Sequence, residues 1–198
     1  MNKEKVRVKG LLLIMVALFT NQINAQKIEK EMKLNSIDYE MVVDVTPQQA
    51  WSVLASYGDV GDYHAILDSS KSLNGSPNQA EMDCERECII PQGKRKIMVR
   101  ERIIDIKEGE YYTYDVYDWD NFPLRKMHNT FGVKKNDKGQ TVIYQHTDFR
   151  LKPRFLTWIM KGKLRNGARE TLMAYKHYME TGEKRVPVKQ LKKKYKAS

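Results

Sequence analysis

The segment Arg95–Tyr117, RKIMVRERIIDIKEGEYYTYDVY, decides the fold. Apolar residues fall at alternate positions at Ile97, Val99 and Ile103, stop at Lys107-Glu-Gly109, and resume at Tyr112, Tyr114 and Val116. A period of two is that of a strand, and a break this short joins neighbours antiparallel. The same pattern extends both ways and predicts strands near 66–74, 80–90, 95–106, 111–119, 125–135 and 141–151. Turn-forming clusters separate them: Asn74–Asn78, Pro91–Gly93, Lys107–Gly109, Asp120–Pro123 and Asn136–Gly139. A weaker alternation (Ile37, Tyr39, Met41, Val43) makes Ser36–Val45 a first strand.

Two departures from this period complete the chain. Thr46-Pro47 provides a helix cap and a first-turn proline, so a short helix carrying Trp51, Leu54 and Ala55 follows the first strand, with a second helical turn around Asp59–His64. After Pro153 the apolar spacing lengthens to three and four at Leu164, Ala168, Leu172, Tyr175 and Met179, which predicts one long helix from Phe155 to Gly182. Gly162 and Gly167 inside it cost about 1 kcal/mol each relative to alanine and mark a kink or a close approach. The sum is an α+β helix-grip fold: a curved seven-stranded antiparallel sheet wrapped around a long C-terminal helix, with two short helices after the first strand. A bent sheet leaves an interior space where a small apolar ligand can bind.

No repeat or flexible linker interrupts 36–182, which reads as one domain. The net charge of +10 sits at the ends: residues 1–25 carry +3, residues 183–198 carry +6, and the body is left at +1. That distribution argues against nucleic acid as a partner, because such proteins carry their basic footprint on the folded surface. Two cysteines exclude a disulfide scaffold and a four-cysteine zinc site. Residues 1–25 have the layout of a signal peptide, a basic Met1–Gly10, an apolar Leu11–Phe19 and a polar stretch ending at Ala25, so a periplasmic or secreted chain beginning near Gln26 is expected. Residues 26–35 form a lead-in. The tail 183–198 is expected to be mobile and solvated, or to meet an anionic membrane surface. A monomer is expected.

Val45-Thr-Pro-Gln-Gln-Ala-Trp-Ser-Val-Leu54, Gly58-Asp-Val60, Val99-Arg-Glu-Arg-Ile103, Tyr112-Thr-Tyr-Asp-Val116 and the terminal amphipathic helix, in that order, resemble the START/SRPBCC superfamily, whose members include polyketide cyclase/dehydrase and lipid-transport proteins. The resemblance runs from Asp38 to Glu180. It departs at Gly75-Ser-Pro-Asn-Gln79, where the superfamily has a glycine-rich turn, and at Tyr144-Gln145, where an aromatic is common. It implies an enclosed, largely apolar pocket and brings no shared catalytic residues.

Strand parity selects candidate residues. In 80–90, Met82, Cys84, Arg86, Cys88 and Ile90 share one face, and Glu81, Asp83, Glu85 and Glu87 share the other, which is solvated; Arg86 is therefore carried inward. Ile97, Val99 and Ile103 likewise carry Glu101 inward, and two inward charges on neighbouring strands are expected to pair. Cys84 and Cys88, about 13 Å apart along a strand, cannot bridge and are expected to be buried thiols. The expected ligand wall is Ile97, Val99, Ile103, Tyr114, Leu164, Ala168 and Leu172, with Arg86 and Glu101 as polar anchor. His128 and His146, placed opposite each other, with Asp118 or Asp148, offer a general acid–base site; the plainer reading puts both histidines on the outer face. No cofactor or metal is called for. The expected function is an exported carrier of a hydrophobic or amphipathic, lipid-like or polyketide-like molecule. The alternatives are a cyclase- or dehydratase-like enzyme using the same cavity, and an interaction protein with a filled core.

Overall fold

Asn35–Val43 opens a seven-stranded sheet by pairing with the last strand of the chain, Thr141–Leu151, so the sheet's first and last strands in sequence are neighbours. The computed structural model describes residues 32–64 and 66–195; the expected signal peptide and most of the lead-in lie outside them. In chain order the elements are β1 (Asn35–Val43), α1 (Pro47–Leu54), α2 (Val60–Tyr63), β2 (Ser69–Leu73), β3 (Glu85–Gln92), β4 (Arg95–Lys107), β5 (Tyr111–Asp120), β6 (Leu124–Lys135), β7 (Thr141–Leu151), α3 (Phe155–Thr181) and α4 (Val188–Lys194). The strands run β1-β7-β6-β5-β4-β3-β2, every neighbouring pair antiparallel. This is the α+β helix-grip architecture read from the period change.

Local chemistry explains the joints. Thr46 caps α1 through a reciprocal box with Gln49, and Pro47 occupies the first turn. Gln92 faces Arg95 across a two-residue turn whose first position is Gly93 at φ 62°, a backbone conformation that suits the twist of a hairpin and that a Cβ would strain. Gly182 ends α3 in the left-handed conformation, its N–H bonding back to the Tyr178 carbonyl.

Curvature comes from breaks in register. β4 and β5 slip between Arg100 and Glu101 and again between Ile103 and Asp105, and β6 slips against β7 between Leu124 and Lys126. Each bulge bends its strand and adds twist. The concave face so formed receives α3, which packs on β1 and β7, while α1 covers one end and touches α3 and β6. A chain of rings fills that end: Trp51, Tyr112, Tyr57, Tyr114, Phe131, Tyr175 and Tyr63 touch in that order, and Tyr112 also stacks on Phe131 at 5.9 Å.

Three expectations need correction. The strand expected at 80–90 begins only at Glu85; Asp83 takes φ 63°, so Met82 is exposed while Cys84, Arg86 and Cys88 keep the inward parity. Glu85 is not solvated: it is covered on the convex face by Arg102, Tyr117 and Asn74. Over 183–195 the tail is not solvated along its length but packs on the domain. Arg185 binds the carbonyls of Gly61 and Leu67, and α4 lays Leu191 and Tyr195, four residues apart and both buried, against α3, where the Tyr195 hydroxyl meets His177 Nδ1 at 3.1 Å. Two apolar side chains on one helical face suffice to dock a segment that composition alone marks as solvated.

Leu191 is 1% exposed, and truncating a leucine buried this fully costs about 2–4 kcal/mol. Leu191→Ala is therefore expected to lower the urea unfolding free energy by about that amount, whereas a solvated tail would leave it unchanged.

Candidate functional site

Between the concave face and α3 lies a cavity of about 530 Å³. Its walls are mainly apolar: Ile37 from β1, Cys88 and Ile90 from β3, Ile97 and Val99 from β4, Tyr114 and Val116 from β5, Phe131 from β6, and Met160, Leu164 and Ala168 from α3. Alternation along each strand puts these side chains on one face, and the bulges keep that face from collapsing onto the helix. Gly167 also borders the cavity, and a Cβ built there would meet nothing within 4 Å. The glycine marks no close approach; it leaves helix wall unfilled.

The expected Arg86–Glu101 pair forms. Arg86 and Glu101 are directly opposite each other in the β3–β4 register, and Arg86 Nε donates to Glu101 Oε2 at 2.6 Å with both side chains buried. Arg86 Nη1 donates to the Tyr57 carbonyl at 2.7 Å, and the guanidinium sits 3.9 Å above the Tyr57 ring. Burial pulls against the Arg86 charge, but the Glu101 carboxylate more than compensates and holds the guanidinium well above its ordinary pKa. Burial pushes Glu101 up against the pull of Arg86. With arginine permanently charged and in hydrogen-bond contact, the pair is ionised at neutral pH.

Of the other expected wall residues, Ile97, Val99, Tyr114, Leu164 and Ala168 border the cavity. Ile103 and Leu172 do not; each is wholly buried in the core beside it.

The expected histidine pair is not assembled. The loop between β6 and β7 spans five residues, Asn136 pairing with Gln140, which sets the register two positions from the expected one. His128 faces Asp148, and His146 faces Thr130. Both lie on the convex face: His128 Nε2 is 3.2 Å from Asp115, and His146 Nδ1 is 2.6 Å from Asp38. Partial burial lowers the His146 pKa, but the Asp38 and Asp148 carboxylates outweigh it and raise it. Asp118 pairs with Arg100, also outside the cavity. The plainer reading of these residues is the observed one.

Sequence reasoning missed the polar groups that do reach the interior. Gln145 Nε2 donates to Asn129 Oδ1 at 3.2 Å and to Thr147 Oγ1 at 3.3 Å, and the Thr147 hydroxyl donates to Asn129 Oδ1 at 2.5 Å. All three residues border the cavity, and Gln145 Oε1 is buried without a hydrogen bond among the described residues. Parity was the available signal: Asn129 alternates with Phe131, and Gln145 and Thr147 with Phe149. His64 is the other omission. Burial drives its pKa down to about 3 and the Arg86 charge adds to the effect, while Nδ1 accepts from the Ile66 N–H at 3.3 Å. It borders the cavity as a neutral ring. No pattern marked it, since it follows α2 in a loop whose burial depends on α3.

A curved antiparallel sheet gripping one long helix over an apolar cavity defines a protein of the START/SRPBCC superfamily. Within it, residues 35–180 match the family described as polyketide cyclase/dehydrase and lipid transport, and the chain belongs to that family. No curated protein sequence matches the chain. Among solved structures the fold is similar to the crystal structure of Ara h 8.0201, with a TM-score of 0.58, 15% identity, and coverage of 74% of this chain and 98% of that one. It is also similar to the protein XoxI from Bacillus cereus, with a TM-score of 0.56, 20% identity, and coverage of 75% and 96%. A protein from Thermobifida fusca has a TM-score of 0.57, 14% identity, and coverage of 73% and 92%.

Two outcomes follow from the buried groups. Glu101→Leu strands the Arg86 charge and is expected to cost about 3–5 kcal/mol, while combining it with Arg86→Met recovers most of the loss; denaturant titration of the single and double variants reads both. His64 has a folded pKa near 3 against 6.5 unfolded, so its contribution is complete above pH 6.5 and is lost as pH falls toward 3. By pH 4 the loss is on the order of 3 kcal/mol. Unfolding free energies measured from pH 7 to 4 should show a shallower acid limb in His64→Leu.

Proposed function

We propose that the protein is an exported carrier that holds a hydrophobic or amphipathic small molecule, lipid-like or polyketide-like, between the sheet and α3. The single observation that carries this reading is the cavity: about 530 Å³ lined by aliphatic and aromatic side chains, within the size range of small-molecule sites. Family membership supports a hydrophobic ligand. The layout of residues 1–25 supports export.

The interior chemistry narrows the ligand. Arg86 and Glu101 cancel each other and His64 is neutral, so the buried walls offer no uncompensated charge. Asn129, Gln145 and Thr147 offer hydrogen bonds instead. The ligand that suits this interior is mostly apolar with an uncharged polar group, such as a hydroxyl, ester or ketone, directed at that trio. An ionised head buried among these walls would be stripped of water with no countercharge beside it; Lys163, exposed at the cavity edge, meets such a head only at the mouth.

The enzyme alternative finds less support. The histidines and Asp118 that would carry acid–base chemistry lie on the convex face, and His64, the one histidine bordering the cavity among the described residues, is too weakly basic at a pKa near 3 to draw a proton efficiently near pH 7.

Native mass spectrometry of the purified chain, followed by organic extraction, tests the proposal; a co-purifying apolar molecule in stoichiometric amount is the expected result. Gly167→Phe places a ring where the helix wall is open, and is expected to weaken binding of a fluorescent fatty-acid ester at least tenfold without lowering the melting temperature. An extract free of ligand, together with probe binding indifferent to Gly167→Phe, would overturn the carrier reading.

A further inference from the structure

Seven large apolar side chains are exposed among the described residues, and three of them, Phe155, Trp158 and Ile159, fall within the first five positions of α3. They are 62%, 82% and 56% exposed. Their spacing of three and four places them on one helical face, and that face is turned away from the cavity-lining Met160 and Leu164. Scattered exposed apolar residues need no explanation, but an aromatic–aliphatic cluster on a helix start does.

The charge around the cluster is equally uneven. From Phe149 to Arg169 the sequence holds seven basic residues and no acidic one. Lys152, Arg154, Lys161, Lys163 and Arg165 are exposed and form no ion pair with a described carboxylate. Several basic residues elsewhere are paired. On the convex sheet, Arg100 bonds Glu87 and Asp118, Arg102 bonds Glu85, Lys134 bonds Glu40 and Lys107 bonds Glu110. Lys192 of α4 is paired with Glu170. Around this helix start, five exposed cations without a described carboxylate partner surround the apolar cluster, and no acidic residue lies between Phe149 and Arg169 to offset them.

We propose that the start of α3 is a docking surface for an anionic phospholipid bilayer, with Phe155, Trp158 and Ile159 entering the interfacial region and Lys152, Arg154, Lys161 and Arg165 meeting the headgroups. An apolar cluster containing a tryptophan, flanked by unpaired cations, has the composition of an interfacial amphipathic helix. Charge complementarity selects an anionic surface over a zwitterionic one. The surface lies on α3 itself, not in the tail, whose docked helix has part of its charge paired. The same helix carries Met160, Lys163, Leu164 and Gly167 to the edge of the cavity within two further turns, so docking brings a cavity wall close to the bilayer. Docking stands independently of the carrier reading; its use for loading an apolar ligand rests on that reading.

The test uses a chain starting at Gln26, which keeps every described residue, and sedimentation with vesicles of phosphatidylcholine alone or with one-third phosphatidylglycerol. Expected is binding to the anionic vesicles in 50 mM salt and at least a tenfold loss in 500 mM salt. Phe155→Ser with Trp158→Ser, and separately Lys161→Glu with Arg165→Glu, should each weaken binding at least tenfold. All four positions are exposed and none borders the cavity, so unfolding midpoints and solution binding of a fatty-acid ester probe should match the parent. No sedimentation at low salt, or sedimentation indifferent to both double variants, overturns the proposal. So does a concentration-dependent dimer that Phe155→Ser/Trp158→Ser abolishes while vesicles are ignored, since the patch would then serve a second copy of the chain. Loss of probe binding in the parent with vesicle docking intact overturns the carrier reading and leaves the docking surface standing.

Discussion

The interior of this protein is organised around one ion pair in a bent sheet. Arg86 and Glu101 face each other across β3 and β4, and the β4–β5 register breaks next to Glu101. The bulge turns the concave surface inward at that point, and the pair takes up the space where two opposed apolar side chains would otherwise pack. The guanidinium's remaining reach is used locally, on the Tyr57 carbonyl and the Tyr57 ring. A buried pair of this kind is weak evidence of stability, because hydrophobic substitutes of similar size often do as well. Its consequence is spatial: it borders the cavity and leaves the interior without net charge, while burial, with the Arg86 charge adding to it, depresses the basicity of His64.

The two faces of the sheet follow opposite rules. The convex face is a lattice of pairs, half-exposed apart from the covered Glu85, in which Glu85, Glu87, Asp118, Arg100 and Arg102 answer one another across strands. Such pairs contribute little individually in water. The concave face is apolar apart from the pair and the Asn129–Gln145–Thr147 trio. At the start of α3 neither rule holds, since apolar and cationic side chains are both exposed and unpartnered. That local exception, at the edge of the cavity, distinguishes the helix start from the rest of the surface.

Much of the architecture was legible because each element has a period. The alternation of Ile97, Val99, Glu101 and Ile103 set the strand and its inward face, and it placed Glu101 beside Arg86 without any knowledge of the fold. The helix from Phe155 was legible for the same reason, as were Cys84 and Cys88 as unbridged buried thiols. The misread elements share a cause. His128 and His146 were placed two positions out of register because a hairpin's register depends on loop length, and the Asn136–Gln140 closure lengthens the loop by its own hydrogen bonds. The tail was misread because docking of Leu191 and Tyr195 depends on what α3 presents to them, including His177 and Glu170.

Residue order by itself determined the strands, their inward sides, the capping of the first helix and the pairing of two charges, because those depend on neighbours within a turn or a register step. Tertiary structure alone decided that the bend leaves a cavity unfilled, that Ile103 and Leu172 close the core beside it, and that His64 is stripped of water and kept neutral. Those outcomes depend on how far apart sheet and helix are held, and that distance is set by bulges and side chains from all parts of the chain at once.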